Sequence, residues 1–290
     1  MSHTVGLAVP LALAAALLHA AWNVLLKTSG NPLALSRRAV TSAMIVVTPI
    51  YTIAWVLAGR PALPRNGLAL AFLSAAVELI YFVSLSEAYR RGKLSAVYPV
   101  ARGTAPVLAI IIGLLLFGEQ LSTFQIAGVV GLLAGIWLVR RPGNMGNALT
   151  PALLTGTAIA IYSAIDSQGV RTAPPWLYAW VLGWMTALML LFWGRIAPHP
   201  APLRHSPVSL EAQPIRLRTG IALGLLMLGS YFLVLIALSI APLAVVAPLR
   251  ESAVVLVAGW GVWRLGERGG AYLRLAGAVM IVAGIAAVSF

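Results

Sequence analysis

Long apolar stretches constrain this chain more than any other feature. An α-helix needs about 20 consecutive apolar residues to cross the ~30 Å hydrocarbon core of a bilayer. Ten such stretches follow one another, at 5–26, 37–58, 67–87, 95–117, 122–139, 149–168, 176–194, 218–240, 243–263 and 271–290. The breaks carry turn residues: Gly30-Asn31-Pro32, Gly59-Arg60-Pro61, Arg91-Gly92-Lys93, Gly118-Glu119, Pro142-Gly143, Pro174-Pro175 and Gly269-Gly270. The longest loop, 195–217, holds five prolines and reads as a surface linker. Composition agrees: 9% of residues are charged and 60% hydrophobic, against about 25% charged in a soluble domain. The expected class is an all-α integral membrane protein with ten transmembrane helices. The first stretch has no Lys or Arg before it and runs into Trp22-Asn23 without a small-residue cleavage motif, so it reads as a helix of the mature chain rather than a signal peptide.

The net charge of +13 comes from 20 Lys+Arg against 7 Asp+Glu. A soluble basic domain would suggest nucleic acid, but a chain this apolar lacks the polar surface for it, so the expected partner is the lipid bilayer. Position explains the excess better. Lys27, Arg37, Arg38, Arg90, Arg91, Lys93, Arg140, Arg141, Arg195, Arg204, Arg216, Arg218, Arg264, Arg268 and Arg274 flank loops that follow odd-numbered helices, whereas only Arg60, Arg65 and Arg171 follow even-numbered ones. Because cytoplasmic loops are enriched in Lys and Arg, this split puts both termini outside. Arg102 and Arg250 fall inside helices 4 and 9.

Several chemistries are excluded. No cysteine means no disulfide, thiolate metal site, iron–sulfur ligation or Cys nucleophile. Of His3, His19, His199 and His205, all but His19 lie at the terminus or in a loop, so neither metal nor cofactor is expected. No Gly-x-x-x-x-Gly-Lys-Ser/Thr pattern supplies an ATPase engine.

The two halves resemble each other in order. Residues 126–136, Ile-Ala-Gly-Val-Val-Gly-Leu-Leu-Ala-Gly-Ile, match 275–285, Leu-Ala-Gly-Ala-Val-Met-Ile-Val-Ala-Gly-Ile. Arg102 precedes Gly118-Glu119 at the same spacing at which Arg250 precedes Gly266-Glu267, and His19-x-x-Trp22-Asn23 has a counterpart in Tyr162-x-x-Ile165-Asp166. Five helices per half is an odd number, so the halves, 5–141 and 149–290, insert in opposite orientation. Many secondary transporters are built from inverted repeats of this kind and hold substrate near the midplane between them.

The run Ala88-Tyr-Arg-Arg-Gly-Lys-Leu-Ser-Ala-Val-Tyr-Pro99, an apolar helix, Gly118-Glu119, then Gln125-x-x-Gly128 and Ala134-Gly135 resembles an EamA-type domain of the drug/metabolite transporter superfamily. The stretch from Ala237 to Phe290 is similar, with Pro248, Gly266-Glu267, Gly277 and Ala283-Gly284. The resemblance implies two EamA-like domains in a multi-pass bundle of a bacterial inner membrane, with a central cavity and alternating access. It also implies efflux or uptake of amino acids, metabolites or drugs. Members are usually drawn with both termini cytoplasmic, opposite to the charge split above.

Ionisable groups within spans are costly and usually face a polar cavity, so they mark the candidate site. Glu78 lies about 16 Å into helix 3 at 1.5 Å per residue. It reads as a proton-coupling or cation-binding carboxylate, or as a structural hydrogen bond. Tyr81 and Phe82 follow at i+3 and i+4 on its face. Arg102 and Arg250 lie about 10–12 Å into their helices from opposite faces and bracket the midplane. Each reads either as an anchor for an anionic substrate group or as a gating or structural residue, Arg250 pairing with Glu251 or Asp166. Tyr98 shares the face of Arg102. His19, Trp22 and Asn23 share one face of helix 1. His19 is a packing residue or a proton shuttle, and Asn23 and Asp166, with Tyr162 one turn before the latter, are placed to bond across a helix interface. Pro99, Pro106, Pro242 and Pro248 interrupt helices 4 and 9, as kinks or as the broken segments of a binding site. Glu119, Glu267 and Glu87 read as structural, and Trp176, Trp193 and Trp263 as interfacial anchors.

The reading that unites these features is a secondary transporter of small polar molecules, not an enzyme. A lipid-modifying membrane enzyme and a channel are the competing classes. Proton coupling would rest on Glu78, Asp166 and His19, whereas facilitated exchange needs no carboxylate. Either a monomer or a homodimer fits this reading, with a small molecule as the transported partner.

Overall fold

A computed structural model describes residues 2–27, 31–91, 94–139, 146–197, 217–251 and 271–288. Among them there are ten α-helices and no strand: α1 (Ser2–Lys27), α2 (Pro32–Leu57), α3 (Arg65–Arg91), α4 (Leu94–Leu115), α5 (Thr123–Val139), α6 (Leu149–Gly169), α7 (Pro175–Ile196), α8 (Leu217–Ile240), α9 (Leu243–Glu251) and α10 (Ala271–Val288). A single 3₁₀ turn, Gly146–Ala148, precedes α6. Residues 252–270, which include most of the expected ninth span with Trp263, Gly266 and Glu267, lie outside the described residues, as do 198–216 of the proline-rich loop.

Local chemistry sets the helix ends. Asn31 accepts from the Ala34 amide at 3.0 Å with Pro32 in the first turn, a strong start signal. It opens α2 five residues before the expected boundary and draws Leu33, Ala34, Leu35 and Ser36 into the helix. Ser122 and Gln125 form a reciprocal capping box for α5: the Gln125 amide donates to Ser122 Oγ at 3.2 Å and the Ser122 amide to Gln125 Oε1 at 3.1 Å. Gly118, at φ +61°, takes the left-handed turn after α4. Pro99 and Pro106 do not interrupt α4, which is continuous from 94 to 115. Each proline removes one backbone bond, and the neighbouring bonds carry the helix through. Pro242 precedes α9 rather than breaking it, and Pro248 lies within it.

Among the described residues, five helices are long and apolar enough to cross a membrane (32–57, 65–91, 146–169, 175–196 and 217–240), with shorter apolar stretches at 6–22, 100–115, 123–138 and 279–288. The distribution of polarity is the reverse of a soluble protein's. Ile50, Leu57, Phe72, Leu115, Phe124, Phe192 and Val279 are exposed, while His19, Arg102, Asp166, Arg250 and Glu251 are buried. An apolar exterior of this extent belongs in lipid.

The packing has an internal regularity. The main pairs are α1 with α8 and α3 with α6; α1 with α9 and α4 with α6; α2 with α8 and α3 with α7; and α2 with α7, α4 with α9 and α5 with α10. Exchanging every helix for the one five places away leaves this set unchanged. The α5–α10 contact runs antiparallel, because Gly128 abuts Gly284 and Gly135 abuts Gly277. A Cβ on Gly128 would come within 2.7 Å of the Gly284 carbonyl oxygen, and one on Gly135 within 2.6 Å of that of Gly277. Glycine is required there because backbone meets backbone.

Candidate functional site

A cavity of about 240 Å³ lies within the bundle. Its walls come from both halves: His19 and Trp22 of α1, Glu78, Tyr81 and Phe82 of α3, Tyr162 of α6, Thr186 of α7, Tyr231 of α8 and Arg250 of α9. Most of these side chains are amphipathic, so the cavity offers aromatic faces with a few fixed polar groups, the usual make-up of a small-molecule site.

The two acids of this region are held differently. Glu78 lines the cavity and accepts from Thr186 Oγ1 at 2.6 Å. Asp166 is wholly buried behind the wall. Tyr178 donates to its Oδ1 at 2.7 Å and Tyr231 to its Oδ2. The Tyr178 ring rests on Gly169, where any side chain would collide with it. Tyr231 therefore links Asp166 to the cavity. Burying a carboxylate is costly unless its oxygens are engaged, and both oxygens of Asp166 are.

The two arginines also differ. Arg250 is 5% exposed and lines the cavity. Its Nη2 donates to the Tyr162 hydroxyl at 2.8 Å and its Nη1 to Ser163 Oγ at a long 3.4 Å. Its Cζ lies 5.7 Å from the Tyr162 ring centroid and 5.6 Å from that of Tyr231, within cation–π range. Its buried Nε has no hydrogen-bond partner among the described residues. Arg102 instead donates from Nη1 to Glu251 Oε1 at 2.9 Å, a buried ion pair across the α4–α9 contact. The expected pairing of Arg250 with Glu251 or Asp166 is thus not the one formed. Consecutive residues on a helix point about 100° apart, so Glu251 faces α4 while Arg250 faces α6, and tyrosines occupy Asp166.

On α1, Trp22 Nε1 donates to His19 Nδ1 at 3.2 Å with the rings edge-on at 4.4 Å, and both side chains line the cavity. The side chains of Asn23, Tyr98 and Pro99 lie outside the described residues. The expected Asn23–Asp166 contact therefore has only its Asp166 half described. Pro106 borders a small void beside Arg250 and Glu251. Glu119 does not serve the next helix. Its carboxylate accepts the Leu243 and Ala244 amides at 2.7 and 2.9 Å and caps α9, in the other half. Glu87 pairs with Arg90 and Arg91 on its own helix. Among the described residues no cluster of His, Asp and Glu is placed to hold a metal ion.

Sequence reasoning missed Ser163, Thr186, Tyr178 and Tyr231. The available signal was weak: hydroxyl side chains set among apolar residues deep in long spans, where an unsatisfied hydroxyl costs free energy and so has a partner.

The fold and this cavity define a polytopic all-helical membrane protein whose polar groups converge on an interior chamber. The EamA-like transporter family model matches residues 6–141, so that stretch is similar to a family of membrane transporters. A solved crystal structure aligns over 98% of this chain and 98% of its own with a TM-score of 0.69 at 18% identity, which shows a shared fold across both halves.

Proposed function

We propose that this protein is a secondary transporter of the drug/metabolite superfamily. In this reading it moves small polar metabolites, amino acids or drugs across a bacterial inner membrane by alternating access between two inverted five-helix repeats, in the export direction. The repeat assignment is supported by the exchange-invariant packing and the antiparallel α5–α10 contact.

The observation that carries the reading is the charge layout of the cavity. One wall presents Arg250, whose guanidinium is held by neutral hydroxyls and rings and, among the described residues, retains an unengaged N–H; another presents Glu78, which accepts from the Thr186 hydroxyl. Arg250 is the anchor for an anionic substrate group, and a fork of donors suits a carboxylate or phosphate. Glu78 is the proton-exchanging group, with Thr186 holding its orientation. Aromatic walls accommodate the apolar remainder of the substrate.

The test is uptake and efflux by the purified protein in proteoliposomes, with a substrate found by screening metabolites for thermal stabilisation of the detergent-solubilised chain. Saturable flux driven by an imposed pH gradient is expected. Glu78→Gln should abolish the response to that gradient while leaving substrate binding measurable; an unchanged pH profile in that variant rejects the coupling role. Flux without saturation rejects the transporter reading itself.

A further inference from the structure

A second cavity, of about 260 Å³, lies where α2 begins and α3 and α7 end. It is separate from the central chamber and shares no lining residue with it. Arg37, Arg38, Arg90, Arg91 and Arg195 lie on the helix ends that meet here.

Three observations point to an anion as the occupant of this cavity. The first is charge. Glu87 on its wall is engaged by Arg90, at 2.6 and 2.5 Å, and by Arg91 at 2.5 Å. Arg37, half-buried on the facing wall, pairs with no acid among the described residues. The second is the seating of that arginine. Gly194 of α7 lies directly under the Arg37 guanidinium, where a Cβ would collide with it, so the absence of a side chain at 194 is what lets the guanidinium lie across α7. The third is the helix end. Asn31 and Ala34 line the cavity and α2 has no acidic residue in its first turn, so the positive end of its dipole is uncompensated there.

The rest of the lining decides the kind of anion. Leu33, Val83 and Leu190 are apolar, and Trp193 stands at the span end, the position of an interfacial anchor. A ligand with an anionic head and an apolar body fits both parts, and basic pockets between helices at a membrane face suit anionic headgroups. We propose that this cavity binds the phosphate headgroup of an anionic phospholipid, with Arg37 as its main contact. Because α2 and α3 precede residue 141 and α7 follows it, the lipid would bridge the two halves.

The experiment is native mass spectrometry of the full-length protein in detergent, titrated separately with phosphatidylglycerol and phosphatidylcholine. Wild type should retain phosphatidylglycerol preferentially. Arg37→Gln should weaken that retention about fivefold, the scale of one basic residue at a membrane surface. Gly194→Ala, which displaces the guanidinium without changing charge, should weaken it as well, and it carries the test if the unliganded melting temperature shows that Arg37→Gln does not fold. Arg171→Gln, at the other end of the bundle, should match wild type. Equal losses for Arg37→Gln and Arg171→Gln, or no lipid preference in wild type, would overturn the proposal. Displacement of phosphatidylglycerol by millimolar inorganic phosphate would reassign the site to a soluble anion and overturn the lipid assignment.

Discussion

Arg102 and Arg250 hold corresponding places in the two halves, yet their surroundings are opposite. Arg102 is closed off, its charge met by Glu251 across the α4–α9 contact. Arg250 faces the chamber, steadied by a tyrosine hydroxyl, a distant serine and two rings. The cause is one position. The residue after Arg250 is Glu251, and the residue after Arg102 is Gly103. α4 thus has no acid beside its arginine to offer Arg250, whereas α9 supplies the acid that meets Arg102. Two positions at matching places in the sequence have therefore diverged into a buried ion pair and a cavity-facing cation.

The sharpest way to break this comparison is to remove the ion pair. Arg102→Ala leaves Glu251 buried and unpaired, a situation that typically costs ~3–5 kcal/mol, so a large drop in melting temperature is expected. Adding Glu251→Leu to Arg102→Met should restore much of it, since an apolar pair of similar size tolerates burial. Next, Arg250→Lys keeps the charge and loses the fork; substrate affinity should fall about tenfold, the worth of one or two charge-assisted hydrogen bonds, with a much smaller change in melting temperature. Should Arg250→Lys destabilise the protein more than Arg102→Ala does, the two roles are reversed. The smallest effect is expected for Glu119→Gln, which keeps one acceptor at the start of α9 and loses its charge at the dipole; about 1 kcal/mol by thermal unfolding is the expected scale.

The sequence made the helices legible because crossing a bilayer demands long apolar runs, and Asn31-Pro32, Ser122-x-x-Gln125 and Pro174-Pro175 mark their ends in plain chemical terms. It also singled out Glu78, Tyr81, Tyr162, Arg250, His19 and Trp22, which the fold brings around one chamber. Partner choice was harder to read. Whether Glu251 meets Arg250 or Arg102 depends on helix rotation, and that is set by packing between α4 and α9 rather than by local sequence. The hydroxyl partners of Asp166 and Glu78 sit on other helices, at separations of 12, 65 and 108 residues. No local pattern announces contacts so distant. Of the two readings of Pro106, kink or break, the break is not formed: α4 proceeds through the proline.

The cap that Glu119 places on α9 also bears on how the chain is assembled. That carboxylate is synthesised more than a hundred residues before the amides it binds, and the main packing partners of α1 and α3, namely α8 and α6, are likewise made later. A five-helix half leaving the ribosome therefore carries open contacts that only its successor can close. The two halves are interlocked rather than juxtaposed. A chain cut between α5 and α6 would have to re-find every one of these contacts between separate halves, in the plane of the membrane.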